Sequence, residues 1–307
     1  LTAFQSEGHA LFLQLSFFMS TLAKRIIMGL IGIPFMIWMV ILGSPYFTIF
    51  FAIVAVLALR ELYMLLSAKG FAPHPMIGMI TGFVWMLLMD FAGEQSAFLL
   101  LLVLSLAGLS TLSLELVNSY EEKHAPPAGS VVSTLGAIVY VPVMLSNVIA
   151  LREFEVQGHF APYFAQMSME AGSALVILLF IGVWAGDTFA YFGGMAFGKR
   201  PLMSHISPKK TIEGAIIGFL GTILTMLAGS YFLMPAFPLW LMLIGSVLIG
   251  LFAPIGDLVE SMIKRDAHVK DSSELIPGHG GAFDRFDSML FAAPIFYGFI
   301  KIVSMWM

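Results

Sequence analysis

Residues 239–257 read LWLMLIGSVLIGLFAPIGD: eighteen uncharged, mostly apolar residues that end on Asp257. A run of this kind is long enough to cross the hydrocarbon core of a bilayer as a helix. A helix also satisfies its own backbone N–H and C=O groups where there is no water to do so. The same pattern recurs at roughly Ile26–Leu42, Tyr46–Leu66, Met76–Met89, Ala97–Leu114, Val131–Leu151, Ser173–Tyr191, Thr211–Leu233 and Asp287–Trp306. The expectation is an all-α polytopic integral membrane protein with about nine transmembrane helices.

Composition points the same way. The 307 residues are 59% hydrophobic and 11% charged, and the mean hydropathy is +0.93. No soluble domain of this size can bury so much apolar surface. There is no cysteine, which excludes disulfides, thiolate metal sites and cysteine nucleophiles. The net charge of −4 says less than its distribution, and no nucleic-acid partner is expected. With the N-terminus inside, thirteen of the fifteen Lys and Arg residues fall on the inner side, leaving only Arg152 and Lys301 outside. By the positive-inside rule this favours nine spans, with the N-terminus inside and the C-terminus outside.

The chain divides accordingly. Residues 1–25 read as an N-terminal extension, either lying along the membrane surface or foreign to the mature protein. Residues 26–151 hold the N-terminal helices, 152–172 an external connector, and 173–307 a C-terminal catalytic membrane region. Pro34, Pro142 and Pro294 fall inside spans, where kinks are tolerated if neighbours satisfy the freed carbonyls. Gly214, Gly218, Gly221, Gly245 and Gly250 suit close helix packing.

Directly after the opening span comes SMIKRDAHVKDSSELIPGHGGAFDRFD, Ser261 to Asp287, the most polar part of the chain. It carries four of the fifteen Lys and Arg residues and five of the nineteen acids. An ordinary solvated loop is the plain alternative, but the internal order argues for a site. Gly278-His279-Gly280-Gly281 gives a backbone that can approach a ligand closely. Asp284 and Asp287 fall on one helical face, and Lys264-Arg265 supplies adjacent cations. Flexible backbone, cations and paired carboxylates are what a metal-bound polyphosphate needs.

Two further clusters converge on the inner side. Asp187 follows sixteen uncharged residues, so it needs a cavity or a partner, unless it is simply a helix-end acid among headgroups. Ser207-Pro208-Lys209-Lys210-Thr211-Ile212-Glu213 reads as a helix start, with Ser207 or Thr211 as cap and Glu213 in the first turn. Its lysines suit a phosphate, or equally reflect positive-inside bias and attraction to anionic lipid. Asp257, Asp284 and Asp287, gathered at one level, would repel one another without a cation; an oxygen-ligated divalent ion, Mg2+ above all, resolves this. His279 is placed to donate to a phosphate oxygen. Ser261 reads as a cap or hydrogen-bond donor, since no acylation constellation accompanies it.

Ser261-x-x-Lys264-Arg265, Lys270-Asp271, Pro277-x-His279-Gly280-Gly281 and Asp284-Arg285-x-Asp287 together resemble the signature of the phosphatidate cytidylyltransferases, or CDP-diacylglycerol synthases. The match continues upstream through Asp187, Ala190-Tyr191, Gly198-Lys199 and Ser207-Pro208-x-Lys210-Thr211-x-Glu213-Gly214, and covers roughly residues 184–290. Ala282 departs from it, where the family carries a larger aliphatic residue. The resemblance implies the reaction of CTP with phosphatidate to give CDP-diacylglycerol and pyrophosphate. It implies a homodimer in a bacterial inner (plasma) membrane, with the site facing the cytoplasm and the bilayer lipid. By carry-over, Asp257, Asp284 and Asp287 would hold Mg2+, with room for a second cation. Asp257, Lys264, Arg265, Asp284 and Asp287 would be catalytic. Asp187, Ser207, Lys209, Lys210, Glu213, Ser261, His279, Gly280, Gly281 and Arg285 would bind substrate. The alternatives are a CTP-dependent lipid-alcohol kinase, an ion-coupled transporter using Asp187 and Asp257, or a scaffold without activity.

Overall fold

The computed structural model describes residues 29–91, 96–120, 127–156, 158–164, 167–273 and 280–306. The expected extension at residues 1–25 lies outside them. Among the described residues are nine α-helices, α1 (Gly29–Leu42), α2 (Tyr46–Ala68), α3 (Pro75–Phe91), α4 (Ser96–Tyr120), α5 (Pro127–Arg152), α6 (Ala171–Phe197), α7 (Ile212–Leu233), α8 (Leu239–Asp266) and α9 (Phe283–Trp306), and a short 3-10 helix at Gly158–Phe164. Seven are long and apolar enough to cross a membrane; α1 and α3 are shorter. The protein is an all-α membrane protein. Two strands interrupt it between α6 and α7, where β1 (Pro201–Met203) pairs antiparallel with β2 (Ser207–Thr211).

In lipid the hydrophobic effect does not drive helices together, so association relies on close van der Waals packing and on small residues that allow it. The α6–α7 contact follows this rule. A Cβ on Gly214 would lie 2.7 Å from the Ala190 carbonyl oxygen, and one on Gly218 would lie 2.7 Å from that of Gly186. The two backbones therefore touch. Thr222 Oγ1 adds a 3.1 Å hydrogen bond to the Gly182 carbonyl. Gly245 and Gly250 admit the rings of Phe296 and Phe219. At Gly256 a side chain would collide with the Asp287 carbonyl, so α8 and α9 meet backbone to backbone beside the acids they carry.

The core is aromatic. Phe51 of α2, fully buried, contacts Phe47 (centroids 4.7 Å apart), Phe180 of α6 (6.4 Å) and Phe286 of α9 (5.6 Å). Phe286 lies between Arg285 and Asp287, so this cluster sets the height and rotation of the first turns of α9. At the other end of the bundle, buried Arg152 donates from Nε to the Val40 carbonyl at 2.8 Å and ion-pairs with Glu170 at 2.7 Å. That joins the ends of α1, α5 and α6.

Several helices run further than their apolar stretches suggest. α6 continues to Phe197 and α8 to Asp266, so Asp187 and Asp257 sit within helices instead of at their ends. At 1.5 Å per residue, the nine residues of α8 beyond Asp257 add ~14 Å of helix. This polar extension brings Glu260, Ser261, Lys264 and Arg265 onto the same rod as Asp257. Ser207, Lys209 and Lys210 form a strand, not a helix start. Thr211 is the N-cap of α7, accepting from the Gly214 N–H at 3.1 Å.

Candidate active site

α6, α8 and α9 and strand β2 bring their charged residues to one place. Lys210 of β2 ion-pairs with Asp257 of α8. Asp187 of α6, an exposed side chain, stands within electrostatic reach of Asp257, Lys210 and Arg285. Asp287 of α9 stands within reach of Asp257, Asp187 and Lys210. One turn along α8 from Asp257, Glu260 is 1% exposed and ion-pairs with Lys264 Nζ at 2.7 Å. Lys264 also reaches Asp284 Oδ1 at 2.6 Å.

One oxygen from each of Asp257, Glu260 and Asp287 lies within 4.8 Å of the others. Three carboxylates this close repel each other strongly, since like charges 4–5 Å apart in a partly buried site interact by several kcal/mol (~4 kcal/mol at 4 Å and an effective dielectric of 20). Five carboxylates (Asp187, Asp257, Glu260, Asp284, Asp287) face three cations (Lys210, Lys264, Arg285), leaving an excess of two negative charges. Hard oxygen donors with a surplus of two charges suit one divalent cation such as Mg2+.

Asp284 is engaged differently from what its spacing to Asp287 suggests. One oxygen meets Lys264. The other accepts from the Gly281 N–H (2.7 Å) and the Ser272 N–H (3.1 Å), and lies 3.0 Å from Ser272 Oγ, whose single proton it shares with Glu61. It caps the start of α9 and holds the approaching loop, while Glu260 takes the third place beside Asp257 and Asp287. Lys264 likewise serves two acids within the protein. It is buried against both, so their charge and its own compensate one another.

Behind this lies Glu61, from the middle of α2 and 1% exposed. Its carboxylate accepts from Ser272 Oγ (2.8 Å), Ser273 Oγ (2.7 Å), the Ala282 N–H (3.0 Å) and the Phe283 N–H (2.8 Å). The last two are free donors at the N-terminus of α9, where a negative charge also complements the helix dipole. Gly280 and Gly281 are required here. Gly280 has φ +77. A Cβ on it would strike Asp284 Oδ2, and one on Gly281 would strike Glu61 Oε2 and Ser272 Oγ. These glycines let the backbone approach two carboxylates of the protein itself.

The hairpin is fixed from both flanks. Glu213 Oε2 accepts from the N–H groups of Lys199 (3.0 Å) and Arg200 (3.2 Å), and Oε1 meets Arg200 Nε at 2.9 Å. Arg265 donates to the carbonyls of Ile206 (3.3 Å) and Val269 (3.0 Å). Lys209 and Arg285 are exposed, and Ser207 and Ser261 are partly buried. Those four, with exposed Asp187 and the partly exposed Lys210, are sequence-selected polar groups open to a ligand. His279 lies outside the described residues.

Residues 23–303 match the profile of the cytidylyltransferase family. The chain belongs to that family. It is 35% identical over 294 residues to a protein of Synechocystis sp. named phosphatidate cytidylyltransferase, covering 91% of this chain and 97% of the relative. It is 30% identical over 291 residues to the Bacillus subtilis protein of the same name, covering 93% and 100%. It is also 35% identical over 305 residues to phosphatidate cytidylyltransferase 4, chloroplastic, of Arabidopsis thaliana, covering 92% and 74%.

In this cytidylyltransferase chain, sequence reasoning missed Glu61, Glu260 and Ser272. Glu260 was available as a signal, being three residues after Asp257 and four before Lys264, spacings that share a helical face. Glu61 carried a weaker one: an acid deep in an apolar run needs a polar partner.

Proposed function

We propose that the protein transfers the cytidylyl group of CTP to phosphatidate, giving CDP-diacylglycerol and pyrophosphate, at the cytoplasmic face of a bacterial inner membrane. The observation that carries this reading is the gathering of Asp187, Asp257, Glu260 and Asp287 with Lys210, Lys264 and Arg285. It occurs in a chain related over nine-tenths of its length to proteins named for that reaction.

The chemistry follows from charge. A phosphate monoester oxygen of phosphatidate attacks the α-phosphorus of CTP. The new P–O bond forms as the bond from the α-phosphorus to the bridging oxygen breaks, and the electron pair leaves with pyrophosphate. The nucleophile is already an anion, so a strong general base is not required. The obstacle is bringing two polyanions together, and positioning plus charge neutralisation are the main means of overcoming it. Lys209, Lys210 and Arg285 take the phosphates, and Arg265 holds the hairpin that carries the two lysines. Lys264 keeps Glu260 and Asp284 compensated, and Asp284 with Glu61 sets the start of α9. Asp257, Glu260 and Asp287 would hold Mg2+, which would supply charge neutralisation at the phosphates. A second cation would add to that neutralisation.

The same reading assigns nine spans, with the N-terminus in the cytoplasm and the C-terminus outside, and a homodimer. The acyl chains of phosphatidate stay in the bilayer while the headgroup enters between helices. Purified protein supplied with CTP, phosphatidate and Mg2+ is expected to release pyrophosphate. Release should stop on omission of phosphatidate, on chelation, and in Asp287→Asn. Pyrophosphate release that is indifferent to chelation and to Asp287→Asn would remove the metal assignment; no release from folded protein would remove the reaction.

A further inference from the structure

Tyr140 stands where α5 departs from α geometry. Val139–Val143 form a single π turn with Pro142 inside it, and such turns cluster at functional sites. The Tyr140 ring makes edge contacts with two rings of α9: Phe283 at 5.9 Å and 83°, and Phe291 at 6.4 Å and 73°. Phe283, Asp287 and Phe291 are four residues apart and so share one face of α9. A ring that touches both phenylalanines spans the Asp287 between them. Asp287 and Glu260 are the acids within electrostatic reach of the Tyr140 hydroxyl. That hydroxyl is buried and has no hydrogen-bond partner among the described residues. A buried, unpaired donor is rare in a folded protein and calls for an explanation.

We propose that Tyr140 is a positioning residue for the carboxylates of Asp257, Glu260 and Asp287: its hydroxyl donates a hydrogen bond to this group when a divalent cation is held there. The inference rests on the reading of those carboxylates as a cation site. Lys210 pairs with Asp257 and Lys264 with Glu260. Among the described residues no lysine or arginine ion-pairs with Asp287. Asp287 Oδ1 accepts from the adjacent Ser288 N–H, and a carboxylate with an oxygen turned to a cation still needs an outer donor to fix its orientation. The phenol meets this need without adding charge. The π turn carries the ring that packs on α9 to either side of Asp287.

Tyr140→Phe removes the hydroxyl and keeps the ring. Mn2+ is the probe, its free concentration read by electron paramagnetic resonance during titration of full-length protein in detergent, with Asp287→Asn in parallel. Loss of an outer hydrogen bond of this kind weakens metal affinity by about 10–100-fold. The expected result is a shift of that size in the Mn2+ dissociation constant of Tyr140→Phe. The unfolding temperature of the metal-free protein should be no lower than wild type. The Mn2+ concentration needed for half-maximal turnover should rise by the same factor. If Tyr140→Phe binds Mn2+ as wild type does while Asp287→Asn does not, the proposal falls and the cation site stands. If wild type binds no Mn2+, both fall. A drop in the metal-free unfolding temperature that accompanies the loss of affinity would make Tyr140 a packing residue and overturn the proposal.

Discussion

Replacing Glu61 tests whether the site depends on a residue that the reaction never touches. Its carboxylate holds two serine hydroxyls and two backbone N–H groups at the start of α9. In Glu61→Ala the serines can rotate to other acceptors, but the N–H groups of Ala282 and Phe283 cannot. Each buried donor left unpaired costs about 1–3 kcal/mol, so the expected destabilisation is ~2–6 kcal/mol. Glu61→Gln keeps one acceptor oxygen but turns an NH2 group toward donors, and should lose about half as much, ~1–3 kcal/mol. The damage should be local first. The amides of residues 282–287 are expected to exchange with deuterium faster than those of α2 itself. Asp287 moves with the first turns of α9, and a displacement near 1 Å at a reacting centre costs on the order of 10²-fold in rate. Turnover of Glu61→Ala should therefore fall by about that factor, with CTP affinity less affected. The assays are thermal unfolding in detergent, hydrogen exchange and pyrophosphate release. Wild-type turnover and wild-type exchange at 282–287 in Glu61→Ala would refute the reasoning, because both follow from the same four hydrogen bonds.

Three further predictions follow from the packing. Gly281→Ala places a methyl group on Glu61 Oε2 and Ser272 Oγ, and should match or exceed Glu61→Ala in lost turnover and unfolding temperature. Lys264→Met leaves Glu260 and Asp284 buried without their cation; breaking a buried pair in this way costs about 3–5 kcal/mol, readable as a lowered unfolding temperature at neutral pH. Gly218→Val drives a branched side chain against the Gly186 carbonyl, separating α6 from α7 and with them Asp187 from the Glu213-anchored hairpin; activity should drop and the detergent-solubilised protein should aggregate on heating.

The helices were legible because a bilayer imposes one strong constraint, about twenty apolar residues per crossing. The segments Tyr46–Leu66 and Leu239–Asp257 found in the sequence reappear as α2 and the apolar part of α8. That constraint is silent beyond the apolar core, so the polar extension of α8 was invisible and Glu260 fell in neither the span nor the polar stretch after it. The hairpin was missed for a related reason: β2 is five residues, SPKKT, with no apolar alternation to mark it. Asp257 and Asp287 were legible as acids at the edge of long apolar runs. The difference between Asp284 and Asp287 was not, because both lie on the same side of α9 and only the loop carrying Ser272 and Gly281 separates their partners. Glu61 stands beside Arg60 inside an apolar run, with no other charged group nearby in the sequence to mark its role. Its partners lie more than two hundred residues away, a separation no local pattern encodes. The Gly280-Gly281 pair was correctly read as a place of close backbone approach, but what approaches is the protein's own carboxylates.

The central claim is that this site moves a cytidylyl group, not a terminal phosphoryl group. CTP labelled at the α-phosphorus and CTP labelled at the γ-phosphorus would be given in parallel to the purified protein with phosphatidate and Mg2+, and the lipid phase counted. The account predicts α-label in the lipid, γ-label in released pyrophosphate, and neither transfer in Asp287→Asn. γ-Label in the lipid with CDP left in solution would contradict it.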